Sequence, residues 1–361
     1  MTAIQQVPAR RLDAASAVDP SSWLHVQWVY HGDQDRALCE VIRPLVRELY
    51  GAGLIDGFYF IRYELGGPHL RLRWRLTEPG DPRLEAKVID RIRDASTAWF
   101  DANPSPESWA EDKIRRVNRQ ITGRDPEHDD ESPVFADQSL HKGEMRFEVK
   151  RYGGPEVLPL ALDLFCYSSL QTLDTLVDHR RGRPSFNPRV LGELIRSAFA
   201  LAGDEEELFA LVGYGKRFFG SRFDACLEQA DRTFDRGRDG LTRMAGAQLT
   251  GVADVLSNDA PSKDADLSQL VADGLRSSWI YALRLGERSD SRWYAASSLL
   301  HMTANRLGVL NPEEVYWCRL AEAACRAFKT SDPEAWGELW QARDASPVPT
   351  RPLAVWQESV P

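Results

Sequence analysis

No stretch of about 18 apolar residues occurs in the 361-residue sequence, so nothing in it reads as a membrane span. The first twenty residues lack the apolar core of a secretory signal. Cysteine is sparse: Cys39, Cys166, Cys226, Cys318 and Cys325 form an odd set without metal-ligand spacing. Only Cys318 and Cys325 are near one another, at a spacing that puts them two turns apart on one helix face. Reduced, structural thiols in a cytoplasmic protein are the expectation. A nucleotide-binding glycine loop is also missing, since Gly213-Tyr214-Gly215 is an isolated G-x-G without continuation. Neither a cofactor nor a metal is therefore expected. Basic excess is absent too: Lys and Arg total 45 against 54 Asp and Glu, a formal net charge of −9 with pI near 5.4. That balance argues against broad, sequence-blind binding to nucleic acid.

What is present is an ordinary globular composition, 43% hydrophobic and 27% charged. Residues 1–21 are polar and unpatterned and read as an N-terminal arm. Residues 23–30 (WLHVQWVY) are aromatic and β-branched, which favours a strand. A helix capped by Asp33 or Asp35 follows, running to about Tyr50, and Pro44 inside it predicts a kink or break. Two strand-like runs, 57–65 and 69–76, flank Gly66-Gly67-Pro68 and predict an antiparallel hairpin. Asp81-Pro82 opens a further helix to about Phe100. Residues 103–143, rich in proline and acidic residues, read as an inserted surface segment with a short helix near 108–121. A strand is expected at 146–152, ending at Gly153-Gly154. Helical patterns follow near 156–179, 188–202, 204–218, 265–285, 291–307 and 312–329, with a coil tail at 341–361. Strands first and helices after give an α+β chain, its antiparallel sheet in the N-terminal half packed with a largely helical C-terminal half. Residues 22–340 are read as one domain.

Three motifs carry chemistry. In His69-Leu70-Arg71-Leu72-Arg73-Trp74-Arg75-Leu76, strand alternation puts His69, Arg71, Arg73 and Arg75 on one face. A wet sheet face and an anion site both account for that row. Mutual repulsion of three like charges is what makes the anion site worth considering, and arginine's planar fork suits a carboxylate. Glu148-Val149-Lys150-Arg151-Tyr152-Gly153-Gly154 reads first as a turn, whose glycines also permit close backbone approach. His301, in Ser298-Leu299-Leu300-His301-Met302-Thr303-Ala304-Asn305, is either a satisfied core histidine or an acid–base group. Asn305, one turn on, is placed to orient it.

Together, Phe60-Ile61-Arg62-Tyr63, Gly-Pro-His-Leu-Arg-Leu-Arg (67–73), Arg-Tyr-Gly-Gly (151–154) and Ser-Leu-Leu-His-Met-x-x-Asn-Arg (298–306) resemble the thiopeptide-type bacteriocin biosynthesis domain. That domain is equivalent to the C-terminal elimination domain of lantibiotic dehydratases and includes the thiopeptide pyridine synthases. The resemblance spans about 22–328, apart from 103–143 and 220–262. It implies a tailoring enzyme of a ribosomally made peptide that expels glutamate from glutamylated serine or threonine to leave a dehydroamino acid. Its partners would be a precursor peptide (leader plus core) and a separate glutamylating enzyme that uses glutamyl-tRNA. No direct nucleic-acid or membrane contact is implied. Aromatic-rich strands and exposed edges suit a homodimer.

By motif position the resemblance implies Arg71, Arg73, Arg151 and His301 as the catalytic set. His69, Arg75, Arg62, Tyr152 and Asn305 then serve in substrate binding. One branch of the family instead joins two dehydroalanines in a formal [4+2] cycloaddition that forms a pyridine and releases the leader. For that reading Ser289, Ser291 and Tyr294 are the candidate hydroxyl donors, although helix capping accounts for them equally well. A catalytically silent leader-binding scaffold, taking a peptide on an edge strand such as Trp23–Tyr30, is the remaining alternative.

Overall fold

The computed structural model describes residues 18–106, 108–122, 134–180, 186–257, 267–285 and 290–345. They form two compact units that divide between Phe147 and Glu148.

The first unit is built on a four-stranded antiparallel sheet of order β2-β3-β1-β4. Strand β1 is Trp23–Val29, β2 Ile55–Tyr63, β3 His69–Leu76 and β4 Ser139–Gly143. Leu24, Val26, Trp28, Phe58, Phe60, Leu70, Leu72 and Trp74 share one face and are all buried. Helix α3 (Pro82–Ala102) covers that face, where the Trp28 indole N–H donates to the Ser96 hydroxyl at 2.9 Å. Trp28 also packs on Phe100, with ring centroids 4.7 Å apart. Burial of these aromatic and aliphatic side chains holds the unit together.

The helix after β1 shows what Pro44 does. Asp33 caps α1 (Gln34–Ala37) by accepting from the Arg36 backbone N–H. The ladder then widens into a π turn at Leu38–Ile42 before α2 (Arg43–Gly51) begins. Pro44 follows directly on the π turn, so the ladder opens at the point where proline has no N–H to close an i→i−4 bond. Asp81 caps α3 as expected, and α4 (Glu111–Thr122) is the expected short helix.

One strand expectation needs correction. Residues 146–152 form turns, closed by Tyr152 N–H to Glu148 and Gly154 N–H to Val149, and carry no strand. The fourth strand is Ser139–Gly143, inside the stretch read as an insertion; it pairs with β1, which therefore lies between β3 and β4 and is not the edge strand expected of it. Gly153 and Gly154 sit at φ +90° and +96°, so only glycine passes this turn without strain.

The second unit is helical: α5 (Leu158–Arg180), α6 (Phe186–Leu201), α7 (Glu205–Val212), α8 (Tyr214–Phe219), α9 (Asp224–Ser257), α10 (Leu267–Arg284), α11 (Asp290–Arg306), α12 (Asn311–Ser331) and α13 (Pro333–Asp344). Helix α9 bends at Gly237, which leaves helical φ/ψ. Arg292, 6% exposed, is a central tie. Its guanidinium donates to Glu207 at 2.8 Å and to the Leu201 and Ala282 carbonyls, joining α11 to the ends of α6, α7 and α10. Cys166, Cys318 and Cys325 are free and buried in this unit. Among the described residues, no group of acidic, histidine or cysteine side chains has metal-site geometry, and no helix is long and apolar enough to cross a membrane.

Candidate functional site

In the first unit the arginine row is real, and each guanidinium lies over a ring from a neighbouring strand. Arg71 sits 3.5 Å above the Tyr63 ring, Arg73 5.1 Å from Tyr59, and Arg75 5.6 Å from Trp23. These stacks keep the three like charges apart and favour cations. Arg75 is committed to structure: it is 7% exposed and its Nε donates to the Asp56 carboxylate at 2.6 Å. Burial pushes the Asp56 carboxyl above its ordinary value, and the facing Arg75 pulls it back down. Arg71 and Arg73 are half-buried, and Arg73 donates to the Tyr59 hydroxyl at 3.2 Å.

Two histidines flank this face. His25 stands directly opposite Arg73 on β1. Its Nδ1 lies 3.0 Å from the Glu144 carbonyl, which can only accept, so the proton is on Nδ1. Nε2 is then a lone pair, buried and without a partner among the described residues. Burial, then Arg73, pushes His25 down to about 4. His69 is fully buried, and its Nδ1 donates to the Gly67 carbonyl at 2.8 Å within the β2–β3 turn. It locks that turn. Arg62 lies on the opposite, apolar face, paired with Asp35 at 2.6 Å, and so stands apart from the row.

In the second unit, the turn at Gly153-Gly154 sets Arg151 against α11. Its Nε donates to the Ser298 hydroxyl at 3.1 Å, and its guanidinium lies 5.8 Å from the Tyr294 ring. Arg151 also meets Glu148 at 3.1 Å. Three residues beyond Ser298, on the same side of α11, is His301. Its Nδ1 lies 2.9 and 3.0 Å from the two oxygens of Glu314, so Nδ1 donates and Nε2 is left for other chemistry. Glu314 also accepts from the Tyr214 hydroxyl. Phe218 and Phe219 lie 5.3 and 5.9 Å from the His301 ring, and Phe218 stacks on Tyr294. Tyr294 is 45% exposed, whereas the His301 side chain is 17% exposed. A half-shielded imidazole thus shares a helix face with a guanidinium and two hydroxyls.

Other expected site residues fall elsewhere. Tyr152 is core: it is 3% exposed, packs edge-on against Phe165, and its carbonyl accepts from the Tyr281 hydroxyl. Asn305 caps the end of α11 through its backbone, which accepts from Gly308 N–H. Asn305 was expected to orient the His301 ring; Nδ1 of that ring is held by Glu314. Ser289 lies outside the described residues, and Ser291 is in the first turn of α11.

A model of the lantibiotic biosynthesis dehydratase C-terminal family matches residues 23–325. The chain belongs to this family. Its fold is similar to that of the pyridine synthase TbtD from thiomuracin biosynthesis, with TM-score 0.66 and 20% identity over 87% of this chain and 99% of that one. It is also similar to the tRNA-dependent lantibiotic dehydratase MibB from Microbispora sp. 107891, with TM-score 0.55 and 19% identity. That match covers 89% of this chain and 29% of the dehydratase. No curated protein sequence matches the chain.

Within this family member, sequence reasoning missed Glu314, Tyr214 and Tyr59. Glu313-Glu314 reads as ordinary N-terminal charge on a helix, and Glu313 does serve there, accepting from Leu310 N–H at 3.1 Å. Its neighbour turns inward, and no local pattern separates the two.

Proposed function

We propose that the chain eliminates glutamate from glutamylated serine or threonine of a precursor peptide, leaving dehydroamino acids, after a partner enzyme has attached the glutamate. The observation that carries this reading is the pairing on α11: His301, held through Nδ1 by a buried carboxylate, with the Arg151 guanidinium anchored at Ser298 on the same helix face. Elimination requires removal of a Cα proton while negative charge builds on the adjacent carbonyl. An imidazole with Nε2 available and a nearby guanidinium match those two needs. Arg71 and Arg73, half-buried on the sheet of the first unit, carry the planar fork that suits a carboxylate, the third need.

The test is mass spectrometry of the purified protein with a glutamylated precursor peptide. Glutamate release is expected. In His301→Gln or Arg71→Ala it should fall by a factor on the order of 10² or more, with glutamylated peptide accumulating. Normal release by both variants would remove these residues from the reaction.

A second reading, pyridine formation by [4+2] cycloaddition, draws on Tyr294. Its exposed hydroxyl-bearing ring beside Arg151 and Phe218 could guide proton transfer in a cyclisation. A leader-bearing peptide with two dehydroalanines distinguishes the two: leader release with a macrocyclic pyridine product selects cycloaddition.

A further inference from the structure

Glu314 sits at 0% exposure, as does Tyr214, and Cys318 beside them is 2% exposed. An ionised carboxylate at such a place is strongly unfavourable unless donors or a positive charge answer it. Among the described residues no lysine or arginine pairs with Glu314; its partners are the Tyr214 hydroxyl and Nδ1 of His301. Those two donors answer the carboxylate while the ring is a neutral Nδ1–H imidazole, and the contact strengthens when the ring takes up a proton in the reaction.

The fold goes to some length to make this contact. Tyr214 lies in the short helix α8, between Gly213 and Gly215. A Cβ on Gly215 would lie 3.1 Å from the Val315 Cα and 3.2 Å from the Cys318 Cβ. Glycine there lets α8 lie against the first turns of α12, which brings the Tyr214 oxygen to Glu314. Burial, then the facing Glu314, pushes the Tyr214 phenol well up, so it remains a donor. The isolated Gly-Tyr-Gly thereby acquires a physical purpose.

We propose that Glu314 and Tyr214 are positioning residues that make His301 a base rather than an acid at the start of the reaction. The inference rests on His301 being the proton-transfer group of the proposed elimination. Glu314 holds the ring proton on Nδ1 and directs the Nε2 lone pair outward, while Tyr214 fixes the carboxylate. In the step, the substrate Cα–H bond breaks as the Nε2–H bond forms. The electron pair passes through the enolate to expel the glutamyl carboxylate with cleavage of the Cβ–O bond. The imidazolium, still hydrogen-bonded to Glu314, then returns its proton to the departing carboxylate or to water.

The experiment combines nitrogen NMR of the full-length, ¹⁵N-histidine-labelled protein with kinetics on a glutamylated peptide. The chain has seven histidines, and the signal lost in His301→Gln identifies the one of interest. In the wild type that ring should be the Nδ1–H tautomer. In Glu314→Gln it should shift toward Nε2–H, with kcat reduced on the order of 10²- to 10⁴-fold and KM nearly unchanged. Tyr214→Phe removes a single oxygen and provides the second measurement: kcat should fall about tenfold with the tautomer kept. An Nε2–H ring in the wild type, or a Glu314→Gln protein with unaltered tautomer and kcat, overturns the positioning role. Expected tautomers with unimpaired glutamate release in His301→Gln instead sink the proposed elimination role of His301, and the positioning role falls with it.

Discussion

Histidine chemistry differs sharply between the two units. His301 is offered a carboxylate, while His25 and His69 are buried beside carbonyls and arginines. Burial first, with Arg73 second for His25, holds His25 near 4, and burial holds His69 near 3. In the unfolded chain both titrate near the ordinary 6.5, so between those values the unfolded chain binds the additional protons. Their contribution to stability is complete above about pH 6.5. It is lost as pH falls toward 4 for His25 and toward 3 for His69. At pH 5 each accounts for about 2 kcal/mol of lost stability. Urea midpoints measured from pH 7 to pH 5 should drop steeply in the wild type and less so in His25→Asn. A flat wild-type profile contradicts the assigned neutral rings. The motifs that carry the family resemblance singled out Arg71, Arg73, Arg151 and His301 as candidates. The same reading offered Asn305 as a neighbour of His301, since a residue at i+4 can be read from one helix; Glu314, a carboxylate arriving from the next helix, cannot.

Elements formed where local chemistry agreed with the tertiary environment. Strands β1 to β3 were legible because alternation of Leu, Val, Trp and Phe with polar residues matches a sheet buried on one face. Strand β4 was not: Ser139, His141, Lys142 and Gly143 have little intrinsic strand preference, and pairing with β1 imposes it. Helix α9 was hidden by its own glycines and charge runs; long-range packing against α12 maintains it. Two predictions belong here. Glu207→Gln leaves Arg292 buried without its counter-charge and should cost about 3–5 kcal/mol in urea unfolding; a change below about 1 kcal/mol would show that the carbonyl contacts alone suffice. Gly215→Val forces a side chain into the Val315 backbone and should cost about 1–3 kcal/mol by thermal unfolding. A fully stable Gly215→Val variant would mean that α8 can move off α12 freely.

At the scale of the molecule, the charge of −9 leaves little to hold a nucleic-acid backbone, because affinity for phosphates scales with the cations that neutralise them. A mobility-shift experiment with transfer RNA at physiological salt should show no retardation up to about 10 μM protein. Clear retardation would mean a concentrated basic face that the overall balance conceals. Fold class followed from hydrophobic periodicity; the order of elements did so only in part, since β4, α9 and α13 were not foreseen. The chain's division at Phe147 did not, since Gly153-Gly154-Pro155, where the sequence pattern changes, lies several residues beyond that point.

The sealed thiols have a chemical consequence. The proposed product carries an α,β-unsaturated amide, an electrophile that thiolates capture by conjugate addition. Cys318 and Cys325 are enclosed within α12, the helix that supplies Glu314. Burial pushes both thiols up, Cys325 to about 12, so neither offers a thiolate at neutral pH. A catalyst arranged in this way can release a thiol-reactive product without alkylating the helix on which its own base depends.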